Sequence, residues 1–113
     1  MEPNPVKSNC VEDCLIICNG PSAVDYLDKT APLTIGCNKI IKRRPVDILV
    51  CVDRLSVKWA VDNKMTAPRM ITKKRPLTLP PGWEHRDFLG VDSGTAAIEV
   101  GLDLAKTVYV VGA

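Results

Sequence analysis

The sequence predicts an α/β fold, a Rossmann-like, doubly wound, mainly parallel sheet with helices on both faces. Three observations predict it. The runs at 13–18, 47–52 and 107–111 are short, continuous and apolar, the pattern of strands buried on both faces. Segments of helical period separate them. Polar or proline-containing stops such as Asn19-Gly20-Pro21-Ser22 end them abruptly. Strands that alternate with helices call for crossover connections and therefore parallel pairing.

Residues 1–12 are polar, carry Pro3 and Pro5, and read as an extended arm; residues 13–113 form a single domain. The first strand is expected over 13–18. A helix follows through Lys29, with Ala23, Val24 and Leu27 as its apolar stripe. A second strand spans 33–37. One or two helical turns over 38–44 end before Pro45. The third strand, 47–52, has the strongest pattern. Residues 53–63 read as a helix with Leu55, Trp59 and Ala60 facing inward. Between 66 and 92 the pattern weakens. A short strand is expected over 69–72, and Pro68, Pro76, Pro80, Pro81 and Gly82 break the remainder into loops. Helical period returns at Ser93 and runs to about Lys106, before the final strand over 107–111.

At 113 residues, with 46% hydrophobic and 25% charged residues, the chain has the composition of one globular domain. Fifteen basic against 13 acidic residues give a net charge of +2, too little for a nucleic acid polymer or an anionic membrane as partner. The longest apolar runs, 15–18 and 48–52, fall far short of the ~20 residues of a membrane span. Residues 1–5 lack the basic-then-apolar order of a signal peptide. Five cysteines (Cys10, Cys14, Cys18, Cys37, Cys51) are an odd number for a disulfide framework. The spacing of Cys10, Cys14 and Cys18 does not fit zinc, and a strand cannot fold three thiols around one ion. No metal or cofactor is expected, and the reducing cytoplasm is the expected location. Cys14, Cys18 and Cys51 lie in apolar runs and are expected to be buried and inert.

In doubly wound sheets, ligands bind beyond the carboxyl ends of the strands, so candidate site residues follow the strands. Asn19, Gly20, Pro21 and Ser22 come first. Gly20 allows a sharp turn and close approach, Pro21 suits the first helical turn, and Ser22 can cap free N–H groups. Such a helix start favours an anion; it is equally a capped turn. Asn38 follows the second strand, and its amide suits a ribose or base edge, or a helix cap. Asp53 follows the third and can accept from sugar hydroxyls or an exocyclic amine, or cap its helix. Ser93, Gly94 and Thr95 open the last helix, with Ser93 as the expected cap, and give a second uncrowded helix start. His85 reads as an exposed loop residue and Trp83 as a core residue. The clusters 42–44 and 73–75 are basic ends that can reach a phosphate. One histidine cannot supply a Ser-His-Asp triad, and no nucleophile–base–acid set is evident.

The order Leu-Ile-Ile-x-Asn-Gly-Pro-Ser, Gly-Cys-Asn, Pro-x-Asp-Ile-Leu-Val-x-Val-Asp, Ser-Gly-Thr-Ala-Ala and Val-Tyr-Val-Val-Gly resembles one known set. It is similar to the nucleotide-binding core of the bacterial sialyltransferase-like and motility-associated glycosyltransferase-like proteins, a group that includes 6-hydroxymethylpterin diphosphokinase-like proteins. The resemblance covers about residues 14–112. It implies that Asn19, Gly20, Pro21 and Ser22 lie against a nucleotide phosphate and ribose. It also implies that Asn38 contacts the nucleotide, and that Ser93 and Gly94, with Thr95 adjacent, approach base or ribose. Relatives continue past the last strand into a segment with a catalytic histidine, whose position His85 does not occupy; here the sequence stops at Gly112-Ala113. The expectation is therefore a small protein that holds a nucleotide, a cyclic nucleotide signal or a nucleotide sugar and sequesters it without catalysis, as some small phage-encoded proteins do. The alternative is a truncated or minimal glycosyltransferase-like enzyme, or a nucleotide hydrolase. A homo-oligomer would help so short a chain complete its pocket.

Overall fold

The computed structural model describes residues 10–73 and 80–112. Six parallel strands form one sheet: β1 (Val11–Ile17), β2 (Leu33–Cys37), β3 (Ile48–Val50), β4 (Arg69–Lys73), β5 (Trp83–Arg86) and β6 (Ala105–Val111). Their order is β5-β4-β3-β2-β1-β6. The chain therefore steps outward from β1 to β5, then crosses back to lay β6 on the other side of β1. Leu15 pairs in register with Thr34 of β2 and with Tyr109 of β6. This is the doubly wound α/β architecture that the alternation predicts.

Two α-helices complete it, α1 (Arg54–Asp62) and α2 (Ser93–Leu104). One sheet face packs on α2 through Cys14, Ile16, Ile35, Ile48, Val50, Ala96, Ala97 and Val100. On the other face, Leu49, Cys51 and Trp83 pack with Ala60 of α1, and Leu15 and Ile17 pack with Ala23 and Ile40. Residues alternate between these faces along β1 and β3, as the pleat requires. Where both faces are covered, from β1 to β3, few polar residues remain in the buried positions and the continuous apolar runs result.

Several elements differ from expectation. The first helix is a six-residue 3-10 helix, Pro21–Tyr26, instead of a helix reaching Lys29. Val24 is exposed, while Ala23 and Leu27 pack inward. A second 3-10 helix, Asn38–Lys42, follows β2. In α1, Leu55 points to solvent at 80% exposure, and Ala60 with the half-buried Trp59 makes the contact. Trp83–Arg86 is a strand, so His85 lies on an edge strand and not in a loop; Trp83 is buried, as expected. The helix-to-strand change comes at Leu104–Ala105, two residues earlier than the pattern suggests. Val11 and Glu12 belong to β1, so the strand takes the end of the expected arm; residues 1–9 of that arm lie outside the described residues, as do Lys74 and Arg75. Among the described residues, no helix is long and apolar enough to cross a membrane.

Candidate functional site

Parallel strands bring every β-to-helix turn to one end of the sheet. Asn19 follows β1, Asn38 follows β2, Val52 and Asp53 follow β3, and Ser93 opens α2 at the same end. Three hydrogen bonds tie this region together. Asn19 Nδ2 donates to Cys37 O at 2.6 Å. Ser93 Oγ donates to Asn38 Oδ1 at 2.8 Å and accepts from Val52 N at 3.1 Å. Ser93 is 4% exposed, and its hydroxyl thus fastens the start of α2 to the ends of β2 and β3.

Asn38 is the first residue of the second 3-10 helix, whose cap position is Cys37, and its amide oxygen serves the link to Ser93. Its φ of 50° lies in the left-handed region, which asparagine tolerates better than most residues. With Oδ1 engaged by Ser93, the Asn38 Nδ2 is the group left for a ligand. Asn19 is exposed beside it.

The remaining expected site residues divide. The chain bends at Asn19 and Gly20, but Gly20 does so with φ −68° and ψ 167°, extended backbone open to any residue. Its N–H donates to Gly112 O at 2.6 Å. The positive φ belongs instead to Gly112, at 69°. Pro21 is the first residue of its 3-10 helix, as expected, but the cap position is Gly20 and Ser22 lies inside the helix. A 3-10 helix of six residues lacks the aligned peptide dipoles of a long helix, so only one of the two expected helix starts is substantial. Asp53 caps α1: its carboxylate accepts from Ser56 N and Ser56 Oγ, both at 2.8 Å. At α2 the cap is Asp92 and not Ser93; Asp92 Oδ1 accepts from Thr95 N at 2.8 Å, and the Thr95 hydroxyl donates back to Asp92 O at 3.1 Å. The Asp-x-x-Thr and Asp-x-x-Ser spacings were available in the sequence as capping signals.

Asp92→Ala is expected to cost about 1 kcal/mol of stability, read by thermal unfolding. Asp92→Asn, which keeps the cap geometry, should cost only a few tenths of a kcal/mol. Equal losses in the two variants would show that the cap is not what Asp92 supplies.

Two arrangements had no sequence signal strong enough to find them. Glu99 of α2 accepts from Leu89 N at 3.0 Å and Gly90 N at 2.8 Å, and these two N–H groups hold its carboxyl below the usual carboxylate range. The loop before α2 is thereby folded onto the helix. The second arrangement is a thiol pair. Cys18 follows the last residue of β1 and Cys37 ends β2; the Cys37 thiol donates to Ser93 O at 3.5 Å, and its presence beside the Cys18 sulfur lowers the Cys18 pKa to about 7. Cys18 is only partly buried, so the expectation of an inert buried thiol fails for it. Cys14 and Cys51 meet that expectation: burial pushes Cys14 up to about 11 and Cys51 up to about 12.

The basic segment 42–44 precedes β3 and so sits at the opposite end of the sheet. With Lys64, Met65 and Thr66 it lines a shallow depression of about 440 Å³. Arg44 is committed there to the carbonyls of Tyr26, Lys29 and Pro45. Among the described residues, no group of three His, Cys, Asp or Glu side chains is placed to hold a metal ion. Comparison with family models, with curated proteins and with solved structures returned no match.

Proposed function

We propose that the chain binds a nucleotide or nucleotide-derived small molecule at the carboxyl ends of β1, β2 and β3, and holds it without turnover. The observation that supports this reading is Asn38. Its left-handed backbone and its bond to the buried Ser93 hold one amide in a fixed orientation, beside exposed Asn19 and the start of a twelve-residue helix. A fixed amide next to free N–H groups suits a ligand with both hydroxyl and anionic groups. Five thiols outside any disulfide fit a cytoplasmic location. A homo-oligomer belongs to the same reading, since β5 and β6 each have a strand neighbour on one side only; light scattering measures the oligomeric state.

The test is a thermal-shift panel of nucleotides, cyclic nucleotides and nucleotide sugars, followed by mass spectrometry of the ligand released on denaturation. At a hundredfold excess over Kd a bound ligand adds about 2.7 kcal/mol. The expected result is a clear rise with at least one nucleotide, release of that nucleotide intact, and loss of the rise in Asn38→Ala with circular dichroism unchanged. Recovery of a cleaved ligand would move the assignment to an enzyme. No shift across the panel would refute nucleotide binding.

A further inference from the structure

We propose that Cys18 and Cys37 form a peroxide-reactive dithiol that closes to an intramolecular disulfide across the ends of β1 and β2. The β1–β2 ladder pairs Ile16 with Ile35 and Ile17 with Gly36, which brings Cys18 level with Cys37 one residue further on. Both belong to the sheet face that packs on α2. Neighbouring strands stand about 4.8 Å apart, within the roughly 4.4–6.8 Å Cα separation that a disulfide spans. Cys18 lies one residue past the end of β1, where a small shift toward Cys37 is possible.

The two thiols have different surroundings. Cys18 is partly exposed, and a side chain on Gly94 would stand 3.7 Å from its sulfur; glycine there leaves the sulfur uncovered. Cys37 is 2% exposed, with Ser93 O at 3.5 Å. An accessible thiol beside a buried partner is the arrangement of an attacking and a resolving cysteine. The charge state agrees: the neighbouring Cys37 thiol favours the Cys18 thiolate, outweighing partial burial and the nearby Asp92 carboxylate, both of which oppose it.

The chemistry balances with a hydroperoxide as oxidant. The Cys18 thiolate attacks the outer peroxide oxygen, the O–O bond breaks, and the leaving oxygen departs as water or alcohol after taking a proton. Cys18 is then a sulfenic acid. Cys37, losing its proton, attacks the Cys18 sulfur, the S–O bond breaks, and the hydroxide leaves as water. Both thiols are oxidised by one electron each, and the peroxide is reduced by two. The bridge would join the residue before Asn19 to the residue before Asn38. Any effect on ligand binding rests on the reading under Proposed function; formation of the bridge does not.

The reduced protein is treated with hydrogen peroxide at pH 7, blocked with N-ethylmaleimide, digested without reductant and analysed by mass spectrometry. The expected product is a cross-linked peptide pair lacking two hydrogens, with fragment ions placing the bridge between Cys18 and Cys37 and with Cys10 alkylated. Cys37→Ser should instead leave Cys18 as a sulfenic acid that dimedone traps. Cys18→Ser should leave Cys37 reduced. Without peroxide, iodoacetamide should modify Cys18 roughly three- to fourfold faster at pH 7 than it does a thiol of ordinary pKa, with a rate that rises through pH about 7. Oxidation of Cys10 first, a bridge to any other cysteine, or failure of dimedone to trap Cys18 in a folded Cys37→Ser variant would overturn the proposal.

Discussion

Gly36→Ala is expected to lower the thermal midpoint by roughly 10–20 °C, from a loss of about 2–3 kcal/mol. Gly36 lies in buried β2, and a Cβ there would stand 2.4 Å from Ile40 Cγ2 and 2.8 Å from Val46 Cγ1. Both neighbours are β-branched and stiff at χ1, so neither methyl can swing away cheaply. The smaller unfolded-state entropy of alanine offsets only about 0.4–1 kcal/mol. Circular dichroism melts check the prediction. The same mechanism requires coupling: Ile40→Ala removes the nearest methyl, so the double variant should be more stable than the two single losses predict by more than about 0.5 kcal/mol. Simple additivity would mean that the second 3-10 helix yields to the new methyl without strain.

Ile16→Ala should cost about 2–5 kcal/mol, a large share of the ~5–15 kcal/mol that holds a domain together. Ile16 is fully buried on interior strand β1, in register with Ile35 and Val110. Its Cδ1 lies 3.2 Å from where a Gly101 side chain would begin, so α2 comes down directly on it. A cavity there is walled by buried Ile35 and by α2 and has little room to collapse. Urea unfolding reads the loss as a lower midpoint at unchanged slope. Leu55→Ala is the internal comparison: Leu55 is 80% exposed and should move stability by no more than about 0.5 kcal/mol. Similar losses at both positions would contradict the packing described for β1.

The strands were legible because parallel sheets covered on both faces carry an apolar pattern, as 14–18 and 48–52 do. β5 was hidden because Trp83 alone is buried, while Glu84 and His85 face solvent and prolines crowd the preceding loop. The first helix was overread: Ala23, Val24 and Leu27 fit a helical stripe, but the segment tightens into 3-10 geometry, which turns Val24 outward. At the candidate site, the turn residues after each strand were readable from topology alone, and Asn19, Asn38 and Ser93 do converge. Their partnerships were not readable, because Ser93 meets Asn38 across 55 residues and no local spacing encodes such a contact. The thiol pair was missed for a related reason: Cys18 looked like one more apolar strand position until β2 brought Cys37 beside it.

The position of β6 also bears on how the chain must be made. β1 leaves the ribosome before the other five strands of the described sheet, yet one of its two flanks is covered only by β6; the Glu12–Lys106 ion pair between them closes a separation of 94 residues. Until β6 has been made, β1 is thus a bare hydrogen-bonding edge carrying Leu15, Ile16 and Ile17, the kind of segment on which nascent chains aggregate. Vectorial synthesis leaves this interior strand unprotected on one flank until its partner arrives. A nascent chain stalled before Ala105 should therefore recruit holdase chaperones, and one stalled far enough beyond Val111 for β6 to leave the ribosome should no longer need them.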